Sequence, residues 1–427
     1  MTAMRAQDHT DFRQWTGERD LAAIGTNAGS AAIPFQSWRS FKEAFAPELT
    51  YRAIEETKDV TRVVDPFGGS GTTALAAQFL GATPTTIEVN PFLADLIEAK
   101  LAIYDLELVV KEYARVIQHA KGKFLAPKRF FASAPETFLE PGVNGRFLFS
   151  TEVAGRFSAF REAIDSVTEP NIARLFRVLL ASAAVPVSNA VVSGKGRRYR
   201  KNWQSRPTPP GAVDQHFERG VLSALFDLRR FDTRKCRAYS LLRGDARRLL
   251  SCVGETDLAV FSPPYPNSFD YTDVYNIELW ALGYLGSLAD NRALREATLR
   301  SHVQISRDMD VPQTGNAALD RTMSSLEGVR SKLWNKRIPD MVGAYFVDMF
   351  AILSELHRSL RTDGRVYMVV GDSRYGGIDV PVGEILTAQA SDLSFKVVSS
   401  EPFRSMRASP QQGGRHELAE SLIVFQR

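Results

Sequence analysis

Thr61-Arg62-Val63-Val64-Asp65-Pro66-Phe67-Gly68-Gly69-Ser70-Gly71-Thr72-Thr73 is the stretch that decides the fold. Its β-branched opening, 61–65, reads as a buried parallel strand. The glycines turn the chain sharply, and the small residues of 72–80 suit a helix lying close on that strand. Thr85-Thr86-Ile87-Glu88-Val89 gives a second strand, and Pro91 fits the first turn of a helix over 92–104. A βαβα order of this kind belongs to a doubly wound parallel sheet.

Working outward, strands are expected at 238–242, 258–261, 365–370, 395–398 and 422–425, with a helix over 345–360 and a turn at Thr362-Asp363-Gly364. Upstream, 33–54 carries apolar and aromatic residues at near-helical spacing, interrupted by Pro47. The rhythm fails between 105 and 235, where amphipathic stretches such as 171–183 adjoin a loop rich in Arg, Pro and Gly near 195–211. It fails again over the polar, helical 277–338. The expected architecture is α/β: a Rossmann-like seven-stranded sheet, formed by 31–104 and 236–427, carrying two mainly helical insertions. Residues 1–30 read as a polar, poorly ordered lead-in.

The 427 residues are 44% hydrophobic and 24% charged, an ordinary balance for a globular protein. No run approaches the roughly 18 apolar residues of a membrane span. The polar start lacks the apolar core of a secretory signal, and Cys236 and Cys252 are too few for a disulfide framework. A cytosolic protein without membrane contact is the expectation. The six histidines show no spacing such as H-E-x-x-H, so no metal is expected, and His119, His216 and His302 read as surface or packing residues. Charge is unevenly placed: 193–248 holds fifteen Lys or Arg against five Asp or Glu, although the whole chain is only +4. A basic band on a mildly acidic body suits a polyanionic partner.

The glycine turn does not cradle a triphosphate, since Thr72 rather than Lys follows Gly71. Asp65-Pro66 replaces the first glycine of the nicotinamide dinucleotide fingerprint. Asp65 repels a pyrophosphate but attracts the ammonium of an amino-acid moiety. Glu88, at the end of the next strand, is placed to accept hydrogen bonds from ribose hydroxyls. A nucleoside that also bears an amino acid is S-adenosylmethionine (SAM).

Further on, the apolar 258–261 runs into Ser262-Pro263-Pro264-Tyr265. The prolines fix φ and lack N–H donors, so nearby carbonyls stay free and rigidly aimed. An exocyclic base amine is a poor nucleophile because its lone pair is conjugated with the ring. Accepting both its N–H groups, on the Ser262 side chain and the Pro263 carbonyl, favours a pyramidal nitrogen. Tyr265 offers a ring for stacking on a base swung out of a duplex.

These residues resemble the amino-methyltransferases of DNA, particularly the N4-cytosine group. Asp65, Pro66, Phe67, Gly69 and Gly71, followed by Thr72 and Thr73, match that family's cofactor motif, and Ser262–Tyr265 matches its serine-type catalytic motif. Weaker matches are Lys42 and Phe45 in the element covering the methionine end of SAM, Asp245 in Arg243-Gly244-Asp245-Ala246 near the adenine, Gly371-Asp372-Ser373 after the fifth strand, and His416-Glu417 with Ser421–Phe425 in a closing hairpin. The resemblance implies the class I SAM-dependent methyltransferase sheet, with its last strand antiparallel between its neighbours. It implies SAM as cofactor, DNA as partner, and a restriction endonuclease or defence system as an associate.

Target recognition falls to one of the insertions. The first, 105–235, is preferred because Lys195, Arg197, Arg198, Arg200 and Lys201 interleave with Tyr199 and Trp203, a composition suited to phosphates and a displaced base. Asn267–Asp273 is a second polar and aromatic stretch that suits a target base or adjoining strand. Neither cysteine sits in the Pro-Cys setting of a C5-cytosine enzyme. N6-adenine methylation, RNA amine methylation and a catalytically silent DNA-binding module remain as alternatives at this level.

Overall fold

The computed structural model describes residues 10–17, 19, 32–39, 41, 44–193, 196–232, 234–267, 269–311, 315–407 and 417–427. Eleven strands are formed among them: β1 (Arg62–Asp65), β2 (Thr83–Glu88), β3 (Ala190–Ser193), β4 (Gly196–Tyr199), β5 (Ser240–Arg243), β6 (Thr256–Phe261), β7 (Leu360–Gly371), β8 (Ser373–Tyr375), β9 (Ile378–Val380), β10 (Lys396–Arg407) and β11 (Glu417–Gln426). Seven of these make one sheet in the order β10-β11-β7-β6-β1-β2-β5. β5, β2, β1, β6 and β7 run parallel, whereas β11 is antiparallel to both β7 and β10. The sheet class is the one expected from the sequence, and the antiparallel last strand is the one the family resemblance implies.

Period-two alternation buries both faces. Val63, Leu258, Val260, Tyr367, Val369, Leu422 and Val424 point to one core. Val64, Ala259, Phe261, Val366, Met368, Val370, Ile423 and Phe425 point to the other. The first face takes helices Thr72–Leu80 and Pro91–Leu101, then the first insertion. Every residue of Thr72–Leu80 is buried, which is why its sequence is small. Ile338–Ser359 and Val382–Asp392 cover the second face with the later part of the second insertion.

The first insertion is a bundle of Leu106–Ala120, Thr151–Asp165, Pro170–Val187 and Gly211–Arg230 around buried Phe217, whose ring lies 5.1–6.1 Å from those of Tyr113, Phe160 and Phe176. Pro170–Val187 is long and apolar enough to cross a membrane by composition, yet Leu175, Phe176 and Leu179 pack inside this core. The bundle is locked to the chain start by Asp227, which accepts from the Phe35 N–H at 2.7 Å and the Trp38 indole at 2.9 Å.

Three expectations need correction. Part of the lead-in is ordered: Thr10–Thr16 is a helix, with Trp15 stacked on Phe79 at 4.6 Å. The stretch expected as a loop includes a strand, β4, paired antiparallel with β3, and a long helix begins at Gly211. Thr362-Asp363-Gly364 does not end the preceding element as a free turn. It lies within β7 as an irregularity, with Asp363 at φ 65°.

Candidate active site

The strand order reverses between β1 and β6, and a crevice opens there at the carboxyl ends of the parallel strands. Asp65 ends β1, Glu88 ends β2, and Ser262 follows β6, so three distant segments meet at one switch point. The crevice encloses a cavity of about 320 Å³ lined by the glycine turn, the Ser262–Tyr265 corner, Asp245, Asp372, Glu420 and part of the second insertion.

Of the expected cofactor residues, Phe45, Asp65, Pro66, Phe67, Gly69, Thr72, Glu88 and Asp245 line the cavity. Lys42 lies outside the described residues. Gly71 stands one layer behind: a Cβ there would lie 3.0 Å from Ile97, and its φ of 78° caps helix Thr72–Leu80 in the left-handed region. Gly69 lies against Phe41 and donates its N–H to Glu88 Oε2 at 2.7 Å, while Asn90 N–H donates to Oε1 at 2.7 Å. Both Asp245 oxygens accept from the Arg247 guanidinium, at 2.8–3.1 Å.

The floor of the cavity carries two buried carboxyl groups. Burial pushes Asp65 up to about 7, against hydrogen bonds from the Phe67 N–H and Thr73 that lower it. Glu88 is also pushed up to about 7 by burial, with Asp65 raising it further. Among the described residues neither carboxylate has an ion pair. Two buried carboxylates without a cation fit a ligand that brings an ammonium and a sulfonium, with hydroxyls for Glu88.

The corner is also organised. Tyr265 donates its hydroxyl to Glu420 Oε1 at 2.8 Å, and Ser262 Oγ lies 3.2 Å from the same phenol oxygen. Burial and the Glu420 charge hold the Tyr265 phenol well above its usual value, hence protonated. Pro263 and Pro264 line the cavity beside them, and the Pro266 carbonyl accepts from the Tyr375 hydroxyl at 2.9 Å.

Of the basic set, Lys195 lies outside the described residues. Arg197 reaches Asp273 at 3.4 Å, which sets β4 beside the segment that follows the corner. Arg200 is held by Asn189 Oδ1 and Thr208 Oγ1, at 3.3 and 2.7 Å. Trp203 stacks on Tyr199 at 5.2 Å and meets Phe147 edge-on at 5.1 Å, so the two aromatics pack on each other. Arg198 and Lys201 are exposed. His416 lies outside the described residues.

Sequence reasoning missed Glu420, which sits on β11 between residues that were noticed, and Lys100. Fully buried, Lys100 donates to the Ser70 carbonyl at 2.6 Å and to Gln36 Oε1 at 3.1 Å, bracing the glycine turn from behind. It also missed the place of His302, which is set in the cavity wall 3.8 Å from Asp270, where burial lowers its basicity. Only the fold brings these side chains to the crevice.

Type II methyltransferase M.AvaI, from Nostoc sp. and from Anabaena variabilis, is 26% identical to the chain over 450 residues, covering 92% of it and 86% of the relative. M.BsoBI of Geobacillus stearothermophilus is also 26% identical, over 464 residues, with 96% and 89% covered. Over most of its length the chain is similar to these Type II DNA methyltransferases, which supports a SAM-dependent DNA methyltransferase. No protein-family model matches the methyltransferase. Among solved structures, TrmN from Thermus thermophilus is similar over 92% of the methyltransferase and 52% of its own chain, at 12% identity and a TM-score of 0.29. SAM is the methyl donor of the methyltransferase, and the paired carboxylates of the cavity floor fit it.

Proposed function

We propose that the methyltransferase transfers a methyl group to the exocyclic N4 amine of cytosine in DNA, on a base rotated out of the duplex. The observation that carries this reading is the Ser262–Tyr265–Glu420 chain of hydrogen bonds, set in the same cavity as the glycine turn. Bound SAM supplies an electrophilic methyl on a sulfonium.

The chain's own residues do the rest. Asp65 meets the ammonium of the donor and Glu88 its ribose hydroxyls, while Gly69 and Pro66 let the backbone approach. Ser262 Oγ and the Pro263 carbonyl accept hydrogen bonds from the two amine N–H groups and direct the lone pair toward the cofactor side, and the proton that the methylated nitrogen must lose leaves by way of Ser262 Oγ to water. Glu420 takes the Tyr265 hydroxyl proton into a hydrogen bond, which frees Ser262 Oγ to accept and fixes the ring as a stacking surface. The mainly apolar lining around the corner, with Phe67, Phe269 and Leu418 among it, limits water at the reacting nitrogen. Arg197, Arg198, Lys201 and, by its sequence, Lys195 contact the DNA backbone, with Arg200 and Trp203 holding the strand pair beside them.

Mass spectrometry of nucleosides from DNA incubated with protein and SAM tests this, beside a Ser262→Ala control. N4-methylcytosine that disappears in the control is the expected result. N6-methyladenine alone, or no methylated base on several DNAs, overturns the cytosine assignment.

A further inference from the structure

We infer that residues 331–337, in the second insertion, form a further DNA-contacting surface, with Trp334 against the sugar and base edge and Lys332 and Lys336 on flanking phosphates. This rests on the reading of the protein as a DNA-modifying enzyme.

The segment alternates. Leu333 is buried, and Asn335 and Arg337 are half-buried, while Lys332, Trp334 and Lys336 are exposed. The inward residues are fixed. Leu333 fills the space over Gly376, where an added Cβ would lie 2.8 Å from its Cδ2. Arg337 donates to the carbonyls of Ile305 and Arg307 at 3.1 and 2.6 Å, and its N–H donates to Asn335 Oδ1 at 2.9 Å. A pinned backbone therefore displays an indole, 48% exposed, between two ammonium groups.

Nearby acids do not neutralise that display. Glu327 and Asp340 are both engaged by Arg330, at 2.7 Å each. Among the described residues Lys332 and Lys336 have no ion pair. An exposed ring packs on the sugars and base edges of a duplex with little regard to sequence, and flanking cations meet phosphates, so the chemistry displayed here is that of a duplex polyanion. Position supports the same partner. Gly376 follows Tyr375, whose hydroxyl is bonded to the Pro266 carbonyl of the catalytic corner, so one short hairpin links this surface to the reacting site.

The test uses the full chain and a mixed-sequence 30-base-pair duplex as probe, with affinity read by fluorescence anisotropy across a potassium chloride series. Substituting Lys332→Ala and Lys336→Ala together should lower the slope of log affinity against log salt by about 1.8, roughly 0.9 for each phosphate that a lysine neutralises. Trp334→Ala should weaken binding about tenfold, the loss expected when roughly 55 Å² of apolar contact is removed, with Trp334→Phe restoring most of it. SAM binding by calorimetry should be unchanged in every variant, since none lines the cofactor cavity. If both sets of variants bind with wild-type affinity and slope while the wild type binds and methylates DNA, this inference is overturned and the proposed function stands. A wild type that neither binds nor methylates DNA overturns both.

Discussion

The two insertions display their charged and aromatic side chains in a way opposite to their composition. The first holds the denser basic and aromatic run, yet much of it is occupied internally: Tyr199 stacks on Trp203, Arg200 is held by Asn189 and Thr208, and Arg197 meets Asp273. The second is less basic, yet it leaves Trp334 outward and places Leu299, Ser301 and His302 in the cavity wall. A tally of cations locates charge, but only the partners of each cation say how much of that charge faces outward.

The largest test of this contrast concerns the first insertion as scaffold. Phe217→Ala should cost about 3–5 kcal/mol, the usual penalty for truncating a buried phenylalanine, read from the urea midpoint. A single shifted transition agrees with a bundle continuous with the sheet core, whereas a separate early transition would make it an independent unit. Between the insertions stands Tyr265. Tyr265→Ala should lower turnover on the order of 100-fold with SAM affinity kept, as expected when a base-stacking ring is removed. Tyr265→Phe keeps the ring but releases Glu420 and Ser262, so nearly full activity in this variant would assign the residue to stacking alone.

Asp65 and Glu88 belong to neither insertion and give the next effect. Each carboxyl is pushed up to about 7 in the folded chain, above its ordinary value of 3.8 or 4.5. Protonation therefore favours the fold, and these two groups alone should lower the stability of the cofactor-free protein as pH rises from about 4 to 7. A cationic ligand needs the ionised forms. SAM should bind about a hundredfold more weakly at pH 6 than at pH 8 by calorimetry, about tenfold for each carboxyl, and a flat profile would remove the carboxylates from the binding role. The smallest effect separates near neighbours in the chain. Arg200→Ala should cost about 1–2 kcal/mol of stability, because it leaves a part-buried network unpaired. Exposed Arg198→Ala should leave stability unchanged and lower the salt slope of DNA binding by about 0.9. Equal behaviour of the two would erase the distinction between a strut and a DNA-facing cation.

Much of the sheet was legible because its signals are local. Val63 and Val64 face opposite cores, and 72–80 forms the helix its small residues require. The glycine turn and the Ser262 corner were also readable, since each follows a strand directly. What escaped depends on distance in the chain. Thr10–Thr16 has only Phe12 and Trp15 to bury, and their partners Tyr51 and Phe79 lie far along the sequence. Glu420 acquires its meaning only where β11 crosses beside Tyr265, 155 residues from it. Gly71 was expected against the ligand, but the helix behind it, through Ile97, sets its demand for a bare backbone.

The packing of Leu333 on Gly376 has a consequence for exchanging parts between relatives. A chimera cut at the ends of the second insertion would keep the β8–β9 hairpin of one parent and import the leucine of the other. Any side chain at position 376 would then collide with the graft, and Tyr375 would carry the disturbance to Pro266. The unit that can be transplanted is therefore the insertion together with 373–380, two pieces of chain separated by the whole of helix Ile338–Ser359 and strand β7.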